Sequence, residues 1–282
     1  MSALLDKVFV WGYVLDKVPS FAPFVFEKTR CSLETEAAFL GAKRAFYNNS
    51  MFSKEYYEKY FHYMDKEIYP NCLEHRLSPR HFGYLKNIEE LFCTLEHGNY
   101  PDSAVRIATL SLTHKNIKGI HIDDFSPEAG RQLPGIHDAV KAINPDLKIA
   151  AVTYSHQPAD VYAKPFAKYI DLFSRWCWVP SLYYWDHQAE DIQVLREAVG
   201  PGKAIVQGIY IHDFGSNMRN PHAVPLEIFK KSVAACCENT LNGTLDGLII
   251  PQAAWFSAPS KYEHIAFLKN YLAWADSTAA VR

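Results

Sequence analysis

Short apolar runs alternate with amphipathic segments along most of the chain, a pattern typical of strands that alternate with helices. The predicted strands are residues 8–15, 44–47, 117–123, 147–154, 170–176, 203–211 and 245–252, and residues 88–95 fit either a strand or a helix. The predicted helices are residues 34–41, 53–68, 101–116, 133–143, 159–169, 189–199, 225–240 and 262–276. The N-terminal third is less regular than the rest.

The predicted strands are almost continuously apolar, which indicates a parallel sheet that is buried on both faces. Eight strands and eight helices in 282 residues fit a (β/α)8 barrel, the TIM-barrel fold. We predict this fold as a single domain over residues 1–282. A doubly wound open sheet is the alternative, but the chain contains no Gly-x-Gly-x-x-Gly fingerprint that would favour it.

Composition limits the classes of partner. Hydrophobic residues make up 49% of the chain, enough for a sizeable core, and the formal net charge of −2 argues against nucleic acid as the main partner. No apolar run of membrane-spanning length occurs, so we expect no membrane span. The first residues lack the basic and apolar regions of a signal peptide, so we expect a cytoplasmic protein. The oligomeric state is left open.

The cysteines and histidines do not form a recognisable metal or disulfide motif. No Cys-x-x-Cys pair is present, and we expect free thiols in a reducing compartment. The first strand lacks a His-x-His pair, and only His121 and Asp123 share a strand face as possible ligands, so we predict neither a metal site nor a cofactor. The six cysteines are Cys31, Cys72, Cys93, Cys177, Cys236 and Cys237.

Two adjacent carboxylates, Asp123 and Asp124, stand at the end of the apolar run 117–122. Each charge costs several kcal/mol to bury unless it is paired, so a buried strand has no structural use for two of them. They lie either at a solvent-facing edge or in a functional site. A purely structural interpretation is that one caps the next helix and the other pairs with Arg131 or Arg175.

Polar or aromatic side chains follow nearly every predicted strand, where (β/α)8 barrels carry their sites. Hydroxyl-binding groups and flat aromatic faces together suit a carbohydrate. Glu96 and His97 lie near the third strand. The predicted substrate-binding residues are Tyr13, Asn48, Tyr154, Trp176, Trp178, Tyr210, His212, Asp213, Gln252 and Trp255. A carboxylate pair among them fits glycoside hydrolysis, which needs a proton donor and a group that stabilises or attacks the anomeric carbon.

The segment Gly119-Ile120-His121-Ile122-Asp123-Asp124-Phe125 resembles strand four of retaining hexosaminidase barrels. Chitinases carry Asp-Gly-x-Asp-x-Asp-x-Glu at this place. This chain keeps the glycine and Asp123 but has Lys118 and His121 at the other Asp positions and Phe125 at the Glu position. The Asp-Asp pair is more similar to O-GlcNAcase- and hyaluronidase-type hexosaminidases.

The resemblance implies a retaining, possibly substrate-assisted glycoside hydrolase. Asp123 would orient and polarise a 2-acetamido group of the substrate, and Asp124 would be the general acid/base. Because the resemblance covers about ten residues, two alternatives stay open. One is a carbohydrate-binding barrel without catalysis, suggested by Phe125, and the other is a lyase or isomerase that acts on a sugar derivative.

Overall fold

The structure is a computed structural model that describes residues 4–13, 31–48, 79–213, 222–251 and 256–279. Within these ranges, parallel strands form a closed barrel in the order β1 to β8, and β8 pairs with β1. This confirms the predicted (β/α)8 barrel. The strands are β1 Val8–Gly12, β2 Arg44–Tyr47, β3 Glu90–Thr94, β4 Ile117–Ile122, β5 Lys148–Tyr154, β6 Leu172–Trp176, β7 Ala204–Gly208 and β8 Gly247–Pro251.

Helices surround the barrel and cover the outer faces of the strands. In chain order they are α1 Leu33–Leu40, α2 Pro79–Tyr84, α3 Tyr100–Ser111, α4 Pro127–Gly130, α5 Leu133–Ile143, α6 Ala159–Tyr162, α7 Leu182–Asp186, α8 Gln188–Val199, α9 Leu226–Leu241 and α10 Tyr262–Ala279. Among the residues described, no helix combines the length and the apolar character that crossing a bilayer requires.

The predicted element boundaries hold within a few residues, with three differences. Residues 88–95, which fit a strand or a helix, contain the strand β3. The helix predicted over residues 159–169 is wrong as a continuous helix, because Pro165 has no N–H group to continue it and a 3-10 turn, Lys164–Phe166, follows α6. The helix predicted over 101–116 ends at Ser111. The helix predicted over 53–68 lies outside the described residues.

Aromatic rings fill much of the barrel interior. Side chains alternate between the two faces of each strand, and those facing the axis form a cluster of their own, separate from the larger core beneath the helices. Part of the chain's aromatic content therefore fills the barrel. The aromatic members of the interior cluster are Phe9, Trp11, Phe46, Phe92, Tyr154 and Trp176.

Two strand glycines make room for these rings. A Cβ atom on Gly119 would lie 2.3 Å from the ring of Phe92, and one on Gly208 would lie 2.0 Å from the indole of Trp176. We expect Gly208→Ala to lower the free energy of unfolding by about 3 kcal/mol, because a closed barrel offers the displaced indole no space. Urea unfolding measures this loss.

Gly135, in the first turn of α5, is the matched control for Gly208. A Cβ atom there would have no neighbour within 4 Å, so Gly135→Ala is expected to raise the free energy of unfolding by about 0.5–1 kcal/mol, as alanine does in a helix. Equal effects of the two substitutions would contradict close packing of Trp176 against β7.

Candidate active site

A polar layer crosses the barrel interior just below the end of β4. Asn48 directly follows β2, Thr94 ends β3 and His121 lies in β4, and all three are fully buried. The Thr94 hydroxyl lies 3.3 Å from Asn48 Oδ1 and 3.3 Å from His121 Nδ1. Burial lowers the pKa of His121 to about 3, so the ring is neutral at ordinary pH.

Two nitrogens of this layer have unused hydrogen-bonding capacity. Trp11 Nε1 donates to Asn48 Oδ1 at 2.6 Å, and because an indole N–H can only donate, this contact identifies the amide oxygen. The amide nitrogen, Nδ2, and His121 Nε2 are buried without a hydrogen-bond partner in the part of the chain that the structure describes. The base of the candidate site is therefore polar although its surroundings are aromatic.

The two carboxylates stand at the carboxyl end of β4, on a turn that changes the direction of the chain. Asp123 is half-buried, and its Oδ1 accepts a hydrogen bond from the backbone N–H of Asp124 at 2.9 Å. Asp124 is exposed and has a φ of 46°, in the left-handed region that aspartate tolerates better than most residues. Had the strand continued, alternation would have pointed Asp124 toward the helices.

The turn instead directs Asp124 to the interior side of the barrel. Its Oδ1 accepts a short hydrogen bond from the hydroxyl of Tyr154, whose ring belongs to the interior cluster. The charges of both Asp123 and Asp124 act on Tyr210. The charges of both carboxylates thus act on the same two phenols, Tyr154 and Tyr210.

Three aromatic rings form one wall of this site. Trp178 lies edge-on to Tyr154, with ring centroids 5.4 Å apart, and edge-on to Tyr210 at 6.1 Å. Trp178 and Tyr210 are half-buried and keep part of their surface accessible. The wall can therefore offer an apolar indole surface and phenol hydroxyls to the same ligand.

Burial separates the protonation behaviour of the groups in the site. The low-polarity surroundings and the neighbouring charge of Asp124 raise the pKa of Asp123 well above its usual value. Burial likewise raises the pKa of Tyr154 and of Tyr210 well above 10, so both phenols stay protonated and can donate hydrogen bonds. One carboxyl that favours its proton thus stands beside a second that accepts a phenol hydrogen bond.

His97, which carried no predicted role, also belongs to this neighbourhood. It follows β3 in the loop before α3, and its Nδ1 lies 3.1 Å from the hydroxyl of Tyr100. Burial lowers the pKa of His97, and the negative charge of Asp124 opposes that shift, which places the ring within the field of the carboxylate. Its position after a strand end was a usable signal, whereas adjacent Glu96 is paired with Arg106 at 2.5 Å.

The structural roles considered for the Asp pair are filled by other residues. Ser126 caps α4, since its hydroxyl accepts a hydrogen bond from the N–H of Ala129 at 3.3 Å. Arg175 is buried and makes a two-pronged ion pair with Asp191, at 2.7 and 2.9 Å. Arg175 therefore pairs with Asp191 and not with Asp123 or Asp124.

Trp176 lies in the floor of the barrel rather than on a binding surface. It is fully buried, its ring lies 5.3 Å from that of Trp11 and 4.8 Å from that of Tyr210, and its Nε1 donates to Ser174 Oγ at 3.2 Å. With no exposed face, it supports the ring of Tyr210 and cannot act as a sugar platform. The sequence pattern does not distinguish this tryptophan from Trp178, two residues later.

The remaining predicted binding residues are less closely tied to the carboxylates. His212 and Asp213 are buried in the loop after β7, where Asp213 forms an ion pair with His222 at 3.0 Å. Tyr13 is half-buried at the end of β1, and its carbonyl accepts a hydrogen bond from the N–H of Leu33. Gln252 and Trp255 lie outside the described residues.

Within the described ranges, no group of three His, Cys, Asp or Glu side chains is arranged to hold a metal ion. The cysteines of these ranges are free thiols, as predicted for them, and Cys72 lies outside the ranges. The free cysteines are Cys31, Cys93, Cys177, Cys236 and Cys237.

The chain matches no model of a known protein family, and no curated protein matches it. Solved structures do resemble it. A GH2 β-galacturonidase from Eisenbergiella tayi is 12% identical, with a TM-score of 0.54, over 94% of this chain and 51% of that one. The catalytic domain of a chitinase from Pyrococcus furiosus is 12% identical, with a TM-score of 0.53, over 97% of each chain.

A third similar structure has a different activity. The tryptophan synthase α-subunit of Pyrococcus furiosus is 10% identical, with a TM-score of 0.53, over 96% of this chain and 98% of that one. At these identities the likeness shows the shared (β/α)8 barrel. The chain spans about half the length of the β-galacturonidase.

Proposed function

We propose that this barrel is a glycoside hydrolase whose acid/base pair is Asp123 and Asp124. The observation that supports the proposal is the left-handed turn at Asp124, which brings the carboxylate next to Asp123 to the hydroxyl of Tyr154 at the carboxyl end of the strands. Glycosidic bond cleavage needs one group to protonate the leaving oxygen and one to stabilise positive charge at the anomeric carbon.

Protonation behaviour suggests how the two roles are divided. Asp123, whose pKa is raised by burial and by its neighbour's charge, is suited to give a proton to the leaving oxygen. Asp124, which accepts the hydrogen bond of Tyr154, is the group assigned to stabilise the oxocarbenium-like transition state. The resemblance to hexosaminidases implies the opposite division, with Asp124 as acid/base and Asp123 on a 2-acetamido group.

The other residues of the site would hold the sugar. Trp178 offers a partly exposed indole to the C–H face of a ring. The neutral phenol of Tyr210 can bond the sugar's hydroxyls, and the oxygen of Tyr154, whose hydrogen goes to Asp124, can accept from one. Beneath them, Asn48 Nδ2 and His121 Nε2 provide polar groups for a substituent or a bridging water.

The proposal is tested with a panel of p-nitrophenyl glycosides that includes both anomers of glucose, galactose, glucuronic acid, N-acetylglucosamine and N-acetylgalactosamine. We expect the purified protein to release nitrophenol from at least one of them. Undiminished release by Asp124→Asn would remove Asp124 from the proposed pair, and failure of the wild type on every glycoside would contradict the proposal.

A carbohydrate-binding barrel without catalysis is the second candidate. It is favoured by Phe125, which stands where chitinases carry their acid and is buried against Phe166, with ring centroids 5.1 Å apart. No proton donor can act from that position. Binding of a sugar in calorimetry, with no cleavage of its glycosides, would support this candidate over the hydrolase.

A further inference from the structure

The loop that follows β6 is firmly anchored. Cys177 Sγ donates to the carbonyl of Val179 at 3.0 Å, and the hydroxyl of Ser181 caps α7. The Tyr184 hydroxyl donates to Gln207 at 2.9 Å and Trp185 is buried, so α7 is tied to the strand below it. The side chains that this loop exposes are therefore held in place and are not the result of a loose segment.

Three large apolar side chains of this loop face solvent. Val179 is 50% exposed, Leu182 is 49% exposed and Tyr183 is 73% exposed. Single exposed apolar residues need no explanation, but several within five residues of a fixed loop indicate a binding surface. We call Val179, Leu182 and Tyr183, together with His187, the rim patch.

Tyr183 and His187 form a flat two-ring surface within the rim patch. Their centroids are 4.2 Å apart and their planes differ by 28°. His187 Nδ1 lies 2.8 Å from the Tyr183 carbonyl, and because a carbonyl can only accept, Nδ1 carries the hydrogen. One face of the Tyr183 ring lies on the imidazole, so the exposed remainder includes its opposite face.

The rim patch directly follows a residue of the candidate active site in the chain. Trp178, which immediately precedes Val179 in the chain, contacts Tyr154, and Tyr154 donates to Asp124. Tyr183 lies five positions after Trp178, a span of at most ~18 Å along the chain. A ligand of several units that reacts at the Asp pair could therefore extend over the patch.

We propose that the rim patch binds additional sugar units of an oligosaccharide whose reacting bond lies at Asp123 and Asp124. This inference rests on the proposed glycoside hydrolase function and makes its substrate a chain rather than a monosaccharide. Stacked rings and aliphatic groups match the alternating C–H faces and hydroxyl edges of linked sugars. A protein partner would use the same apolar area, and the test separates the two.

The test compares substrates of increasing length in Tyr183→Ala, a substitution of an exposed ring that should not disturb folding. The substrates are p-nitrophenyl glycosides carrying one, two and three units of the sugar that the panel identifies. We expect kcat/KM for the longest substrate to fall roughly tenfold, equivalent to about 1.4 kcal/mol, while the value for the shortest stays unchanged. Trp274→Ala, an exposed ring on α10, is the matched control and should change neither value.

Binding provides a readout that does not depend on turnover. In the Asp124→Asn background, adding Tyr183→Ala should weaken calorimetric binding of the trisaccharide by the same factor. Equal loss on substrates of all lengths, or no loss on any, overturns the rim patch and leaves the hydrolase proposal standing if the wild type cleaves the shortest substrate. Concentration-dependent sedimentation that Tyr183→Ala abolishes, with unchanged saccharide binding, would assign the patch to protein contacts and also overturn the inference.

Discussion

Asp124→Asn is expected to lower kcat on a cleaved glycoside by roughly 10²–10⁴-fold, the usual effect of removing one acid/base or charge-stabilising carboxylate. Asparagine keeps the size of the side chain and tolerates the left-handed φ of this position, so the turn should survive. What is lost is the negative charge that Tyr154 now supports. Steady-state kinetics at several pH values measures the loss.

The control for Asp124→Asn is another Asp-to-Asn substitution, at a residue away from the carboxyl end of the strands. Asp138 lies on α5 with its side chain 81% exposed, and Asp138→Asn should leave turnover unchanged. Thermal melting of both variants checks that folding is intact. Full activity of Asp124→Asn on every glycoside that the wild type cleaves would remove Asp124 from the mechanism.

Asp123→Asn is expected to have an effect that depends on the leaving group. If Asp123 supplies the proton, a substrate with a poor leaving group should lose roughly 10²–10⁴-fold in kcat/KM. A dinitrophenyl glycoside, whose leaving group departs without protonation, should lose far less. Asp124→Asn should impair both substrates.

The reverse pattern would assign the acid role to Asp124, as the hexosaminidase resemblance implies. Undiminished turnover in both variants would end the proposal for the pair. The comparison thus separates the division of roles from the existence of the site.

The pH dependence of wild-type activity should also show whether Asp123 supplies the proton. Because burial and the charge of Asp124 raise the pKa of Asp123, activity should fall as pH rises through that value, and Asp123→Asn should lack this limb. The direction in which pH changes the free energy of unfolding follows from the number of protons that the folded and unfolded chains bind. The folded protein holds the proton to higher pH than the unfolded chain does, so Asp123 favours folding at low pH and this contribution is lost as pH rises.

The strands of the barrel were predictable because each is a short apolar run with a turn signal at its end. The prediction for residues 44–47 has the correct limits although the strand is brief. A charged residue immediately before its apolar residues marks where it begins. Residues 88–95 were ambiguous because a short apolar run fits both periods, and only pairing with β2 and β4 makes it a strand. Pro165 is the sequence signal for the break in the helix predicted over residues 159–169, although the pattern on both sides of it is helical.

The site was only partly predictable, for a geometric reason. Alternation along β4 puts His121 and Asp123 on the inner face, and the structure contains that arrangement. The same rule sends Asp124 outward, and only the backbone angle at this residue reverses it. Trp176 and Trp178 are both tryptophans, and strand alternation would put them on the same face. Only burial in the folded structure distinguishes Trp176, in the floor of the barrel, from Trp178, in the wall of the candidate site.

The buried neutral histidines make the folded protein less stable as the pH falls. Burial lowers the pKa of His121 to about 3, and burial with the nearby Lys261 charge lowers that of His212 to about 3, whereas in the unfolded chain both take up protons below pH 6.5. Each such proton removes about 1.4 kcal/mol of stability per pH unit as the solution becomes more acidic. The interior that shapes the candidate site is thus also a source of acid lability.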